Sequence, residues 1–318
     1  MILLTGGSGF LGRALLTALS KEHAVRATFR QAEVDVTVPR QVEIMQASLS
    51  PDQDWMAVLR GVSTIIHCAA RVHVMNDSLS NPLLEYRRIN VDGTLNLARQ
   101  AIKSGVRRFI FISSVKVNGE YSNLGRPFTV DQIPAPVDHY GISKYEAEMG
   151  LKALSAEAGM EIVIIRPPLI YGPGVNANFQ SMMRWLQRGV PLPFGGIKKN
   201  RRSFIYLKNL VEIITVCITH PAAANQTFLV SDGEDLSTTE LLRRMFLAME
   251  LPMRLIAVPP SFIRIGAKLI WRPDISRRLC DSLQVDIQKT KDVLGWSPRI
   301  SVDDGLRQTA AYFLENSL

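Results

Sequence analysis

An α/β fold, a doubly wound parallel sheet with a smaller C-terminal lobe, is predicted from three features of the 318-residue sequence. Short branched apolar runs alternate with longer helical patterns through the first half, the pattern of a parallel sheet covered on both faces. A glycine-rich turn separates the first run from the first helical pattern. After Arg166 the chain is broken into loops by Pro167-Pro168, Gly172-Pro173-Gly174 and Pro191-Leu192-Pro193-Phe194-Gly195-Gly196.

Taken in order, the predicted strands run from Ile2 to Thr5, Ala24 to Phe29, Val42 to Ala47, Thr64 to His67, Phe109 to Ser113 and Ile162 to Arg166. Helical patterns lie between them at Phe10 to Ser20, Leu83 to Ser104 and His139 to Ala158. A βαβ unit from the first strand onward points to a Rossmann-type dinucleotide-binding sheet. Phe204 to His220 and Gln226 to Val230 are expected to return to that sheet. The implied division is a dinucleotide-binding domain over 1–166 and about 203–231, with a substrate-binding lobe over 167–202 and 232–318.

Composition narrows the class. With 47% hydrophobic residues the chain buries a large core. Cys68, Cys217 and Cys280 form no close pair, and no histidines cluster beside them, so neither disulfides nor a metal site is expected. The first residues lack a basic flank and a long apolar core, which points to a cytoplasmic protein. No apolar run approaches the ~20 residues of a membrane span. Ser261 to Trp271 is apolar with basic punctuation and reads as a buried helix, with contact to a membrane surface as the other reading. The net charge of +8 favours anionic partners. Because its basic residues are dispersed, except at Lys198-Lys199-Asn200-Arg201-Arg202, a small phosphorylated ligand is expected rather than nucleic acid.

Thr5-Gly6-Gly7-Ser8-Gly9-Phe10-Leu11-Gly12 follows the first strand and opens the first helix. Gly6, Gly9 and Gly12 permit a tight turn, close approach to a pyrophosphate and close helix–strand packing. At Phe10 and Leu11 the helix N-terminus offers free N–H groups to anions. The second strand lacks the terminal acid that holds the ribose hydroxyls of NAD, and ends instead at Arg30. A guanidinium there suits a ribose phosphate, so NADP(H) is favoured over NAD.

Tyr140-Gly141-Ile142-Ser143-Lys144 places a phenol and an ammonium one helical turn apart, on one face. A nearby cation is expected to lower the phenol pKa from ~10, readying Tyr140 for proton transfer with a carbonyl or alcohol oxygen. Ser113 and Ser114 end a buried strand at the edge where doubly wound sheets bind ligands, so Ser114 is expected to hold the reacting oxygen. The glycine loop, the strand-end serine and the Tyr-x-x-x-Lys pair together are far more specific than any one of them.

These residues resemble the extended short-chain dehydrogenase/reductases, in particular the NAD-dependent epimerase/dehydratase group acting on nucleotide sugars. The likeness extends to His67-Cys68-Ala69-Ala70, Asn90-Val91-Asp92-Gly93-Thr94, the stretch from Arg166-Pro167-Pro168 to Tyr171-Gly172-Pro173-Gly174, and Leu294-Gly295-Trp296. The resemblance implies that Ala69, Ala70, Ser113 and Pro167 line the cofactor, that Lys144 holds the nicotinamide ribose, and that Asn90 orders the site. It implies that Asn178 and Arg202 meet the nucleotide diphosphate, joined by Arg277 or Arg278. It also suggests a homodimer through the helices containing Asn90 and Tyr140.

Departures from the family pattern shape the expected chemistry. Val115-Lys116 replaces the Asp-Glu pair of the dehydratases, and Val117-Asn118-Gly119 replaces the Val-Tyr-Gly of the epimerases. With Arg30, these favour reduction of a UDP-4-keto-6-deoxy-N-acetylhexosamine for surface polysaccharide. A UDP-hexose 4-epimerase is the alternative. A non-catalytic cofactor sensor or RNA-binding relative would need no triad.

Overall fold

The computed structural model describes residues 1–31, 38–72, 81–269, 271 and 273–316, with the side chains of 177–178 and 273–275 excepted. Among the described residues ten strands follow in chain order: β1 (Ile2–Thr5), β2 (Val25–Phe29), β3 (Glu43–Gln46), β4 (Thr64–His67), β5 (Arg108–Ile112), β6 (Glu161–Arg166), β7 (Leu169–Tyr171), β8 (Arg202–Tyr206), β9 (Thr227–Leu229) and β10 (Asp235–Leu236). Seven form one parallel sheet in the order β3-β2-β1-β4-β5-β6-β9. The order reverses between β1 and β4, and the crevice beyond their carboxyl ends is where such sheets bind ligands.

Strands β1, β2, β4 and β5 are buried along their whole length, which is why they read as unbroken apolar runs. Alternate side chains serve opposite faces. Leu4, Ile66, Ile110 and Val163 pack under the Phe10–Leu19 and Leu207–Thr219 helices. Leu3, Ile65, Phe109 and Ile162 pack under the Thr94–Lys103 and His139–Ala158 helices. The predicted helix from Leu83 is interrupted: Pro82–Tyr86 and Thr94–Lys103 are α-helical, and Arg87–Gly93 between them is a wider π-helical segment.

One strand departs from expectation. Phe204 belongs to β8, which does not join the main sheet but pairs with β7 in parallel and with β10 antiparallel; only β9 returns, beside β6. Pro167-Pro168 has no N–H to donate, so the β6 ladder stops there, and the redirected chain supplies β8 with a partner in β7. This small sheet carries a core of its own, including Tyr171, Phe179, Phe204, Phe246 and Phe313. Asp232, in the segment between β9 and β10, fastens this sheet, accepting from the Tyr171 hydroxyl at 2.8 Å, the Tyr206 N–H at 2.9 Å and the Asn209 amide at 2.8 Å.

The segment from Ser261 to Trp271 also departs from its first reading. The Pro260–Leu269 helix buries Ala267 but leaves Phe262, Ile265 and Leu269 exposed. Among the described residues, no helix is long and apolar enough to cross a membrane.

Candidate active site

The glycine loop is shaped by close backbone contacts. Gly6 has φ +75°, and a Cβ there would lie 2.7 Å from the Ala69 nitrogen. A Cβ on Gly12 would lie 2.1 Å from the Gly6 carbonyl oxygen, so side chains at either position would force the turn apart. The Gly9 N–H closes the turn on the Gly6 carbonyl at 3.0 Å. Gly9 then caps the Phe10–Leu19 helix without a side-chain hydrogen bond, which leaves first-turn N–H groups to face an anion. This cradle fits a dinucleotide pyrophosphate, with Gly6, Gly9, Phe10, Leu11 and Gly12 forming it. Ala69 and Ala70 lie next to it, the Ala69 N–H donating to Thr5 Oγ1 at 3.3 Å. Arg30 stands exposed just past the end of β2.

Asn90 sits on the π-helical segment, 1% exposed. Its amide accepts from the Arg71 N–H at 2.7 Å and donates to the Arg71 carbonyl and the Ser143 hydroxyl, both at 3.0 Å. Ser143 in turn donates to the Tyr140 carbonyl at 2.8 Å. One asparagine thereby ties the loop after β4 to the helix carrying Tyr140 and Lys144.

That helix begins at Asp138, whose carboxylate accepts from the Gly141 N–H at 2.7 Å and pairs with Lys116. Lys144 Nζ is buried, donates to the Ile112 carbonyl at 2.8 Å and lies 4.4 Å from the Phe111 ring centroid. It lies 5.9 Å from the centroid of the Tyr140 ring. Burial pulls its pKa down to about 8. Burial and the Asp138 carboxylate push the Tyr140 phenol above its ordinary value. The expectation of a lowered phenol pKa is therefore corrected: desolvation of the phenolate comes first, and the Asp138 and Tyr86 charges add to it. Below the pair, His67 bridges Thr5 Oγ1 at 2.7 Å and Thr94 Oγ1 at 3.0 Å. Burial, with Lys144 adding to it, drops the imidazole pKa to about 3, so His67 is neutral.

At the end of β5, Ser114 Oγ accepts the Lys116 N–H at 3.2 Å, leaving its proton to donate. The Val115 N–H donates to the Pro167 carbonyl at 3.0 Å, joining the ends of β5 and β6. Ser113 turns inward and donates to Glu148 at 2.5 Å. Glu148 forms a buried two-pronged pair with Arg166, which also donates to Asn118 Oδ1 at 3.0 Å. Asn118 therefore anchors the segment after Ser114 to β6. This Glu148–Arg166–Asn118 network went unread in the sequence, although Glu148 stands one turn beyond Lys144 and Arg166 opens the Arg-Pro-Pro string.

The diphosphate candidates are more dispersed. Arg202 donates to the Asp281 carbonyl at 3.2 Å, and burial leaves its pKa below the ordinary value against the raising field of the Asp281 carboxylate, with Arg278 adding a smaller lowering field. Arg277 is exposed on the Pro273–Cys280 helix, and the arginine whose charge reaches Arg202 is Arg278. The Asn178 side chain lies outside the described residues.

Against this geometry, the sequence pattern of the NAD dependent epimerase/dehydratase family matches residues 2–231. The chain belongs to that family. A UDP-glucose 4-epimerase of Vibrio cholerae is 46% identical over 316 residues, covering 99% of this chain and 95% of the relative. The fold is shared with a solved UDP-glucose 4-epimerase from Thermotoga maritima, at TM-score 0.80 and 23% identity over 100% of this chain and 99% of that one. It is shared equally with a UDP-glucuronic acid 4-epimerase from Bacillus cereus, solved with NAD, at TM-score 0.80 and 20% identity over 99% and 96% of the two chains. The 46% identity to a UDP-glucose 4-epimerase overturns the expectation of a 4-keto sugar reductase. That reading leaned on Arg30, which bears on a ribose phosphate of the cofactor and not on net redox change, and the same triad serves both chemistries. The family is NAD-dependent, and a preference for NADP rests on Arg30 alone.

Proposed function

We propose that this protein is a UDP-hexose 4-epimerase that holds NAD over its glycine loop and inverts carbon 4 of the sugar. The observation that carries the reading is the 46% identity to a UDP-glucose 4-epimerase over almost the whole of both chains. The triad supports it, because Tyr140 and Lys144 share one helix beside the strand end that carries Ser114.

Bound NAD would supply the hydride acceptor and later the donor. Ser114 Oγ holds the 4-oxygen, its lone pair already engaged by the Lys116 N–H. Tyr140 would take the proton from that oxygen in the oxidative half-reaction and return it in the reductive one. Lys144 favours the phenolate through its charge and holds the ribose of the cofactor. The keto sugar turns over between the half-reactions, which requires a firm grip on the nucleotide and a loose one on the hexose. Arg202 and Arg278 are the proposed diphosphate partners, with Asn178 as a third. Arg30, with no carboxylate at the end of β2, supports tolerance of the 2′-phosphate of NADP in the same cradle.

Tyr140→Phe tests the assignment. Turnover is expected to fall about 10²- to 10⁴-fold, the ordinary worth of a positioned proton carrier, with the dinucleotide still retained. Mass analysis of the nucleotide released on denaturation reads retention and separates NAD from NADP. Unchanged turnover in the variant would remove Tyr140 from the mechanism.

A further inference from the structure

We propose that the Pro260–Leu269 helix seats this protein on an anionic membrane surface. The helix is amphipathic in an inverted sense. Ala267 faces the lobe at 7% exposure, whereas Phe262, Ile265 and Leu269, at i, i+3 and i+7, form an outward stripe exposed by 64%, 56% and 75%. Trp271 follows at 90% exposure, in a left-handed turn with φ +55° that bulky residues seldom adopt. Its N–H closes on the Lys268 carbonyl at 3.1 Å, so the turn ends the helix and presents the indole to solvent.

Four large apolar side chains in one short stretch are more than scattered surface hydrophobics explain. The charges beside them choose the occupant. Arg264 and Lys268 lie one turn apart along the same helix, both exposed, and Arg277 is exposed on the Pro273–Cys280 helix packed against it. Asp281 pairs with Arg264 at 2.8 Å, while Lys268 and Arg277 have no acidic partner in contact among the described residues. A second copy of this chain would bring like charges together around the apolar stripe. An anionic lipid surface instead meets the cations with headgroup phosphates and takes the Phe, Ile, Leu and Trp side chains to the acyl boundary. A ten-residue helix is far too short to cross the bilayer, so the contact lies in the plane of the interface.

The test is sedimentation of the full chain with vesicles of phosphatidylcholine containing about one-third phosphatidylglycerol, against vesicles of phosphatidylcholine alone, at low and high salt. The expected result is partitioning to the anionic vesicles that falls at high salt, with a blue shift of tryptophan emission absent from Trp271→Phe. The double variant Phe262→Glu/Leu269→Glu should lose about tenfold or more in partitioning while sugar turnover in solution stays at the parent value. Absence of binding, or equal binding to neutral vesicles, would overturn the proposal. So would a concentration-dependent dimer that Phe262→Glu/Leu269→Glu dissolves, since that would make the stripe an interface between copies of the chain.

Discussion

At the scale of single residues, the site is a problem in burying charge. Lys144 is charged at neutral pH although burial pulls its pKa to about 8, so the native state bears a cost that the unfolded chain does not. Lys144→Met is therefore expected to stabilise the protein at pH 7, by about 1–3 kcal/mol once the lost bond to the Ile112 carbonyl is set against the relieved desolvation. Between pH 8 and the ordinary lysine value the unfolded state binds the extra proton, so the parent gains stability with rising pH and the gap closes. Thermal melts of both proteins from pH 7 to 10.5 check the sign; a gap that widens would refute it. The Tyr140–Lys144 pair was legible in the sequence because helical spacing alone brings i and i+4 together. Its depth was not, since burial arises from strands distant in sequence, and that depth reversed the expected shift of the phenol. The pairing of Glu148 with Arg166 was hidden for the same reason.

At the scale of elements, the glycine loop is where local sequence and tertiary geometry agree. Gly12 lies against the Gly6 carbonyl, and Gly12→Ala is expected to yield protein that purifies with little bound dinucleotide and is destabilised by about 2–4 kcal/mol. The ratio of absorbance at 260 and 280 nm and a denaturant titration read the two effects separately; a variant that keeps its nucleotide would contradict the tight-turn account. The strands of the first half were readable because each is an apolar run bounded by turns. The π-helical segment that positions Asn90 was not, because hydrophobic periodicity does not register a widened turn. Nor was the partner of β8, which depends on where the Pro167-Pro168 break sends the chain.

At the scale of the whole molecule, the main sheet carries the proposed cofactor cradle and triad, while the second sheet and the Pro273–Cys280 helix carry Arg202 and Arg278, the arginines proposed for the nucleotide. Asp232, in the segment that follows β9, binds Tyr171, Tyr206 and Asn209, and so couples the two sheets. Asp232→Ala would strand the buried Tyr206 N–H and the Asn209 amide, costing about 2–4 kcal/mol in chemical denaturation, with a larger effect on substrate affinity than on cofactor retention. The most direct test of the epimerase reading gives the purified protein UDP-glucose in one tube and UDP-galactose in another, with no added cofactor or reductant, and follows the sugars to equilibrium. Both tubes are expected to converge on the same mixture, without net change in cofactor redox state. No interconversion in either direction, with the protein folded and its dinucleotide retained, would contradict the assignment.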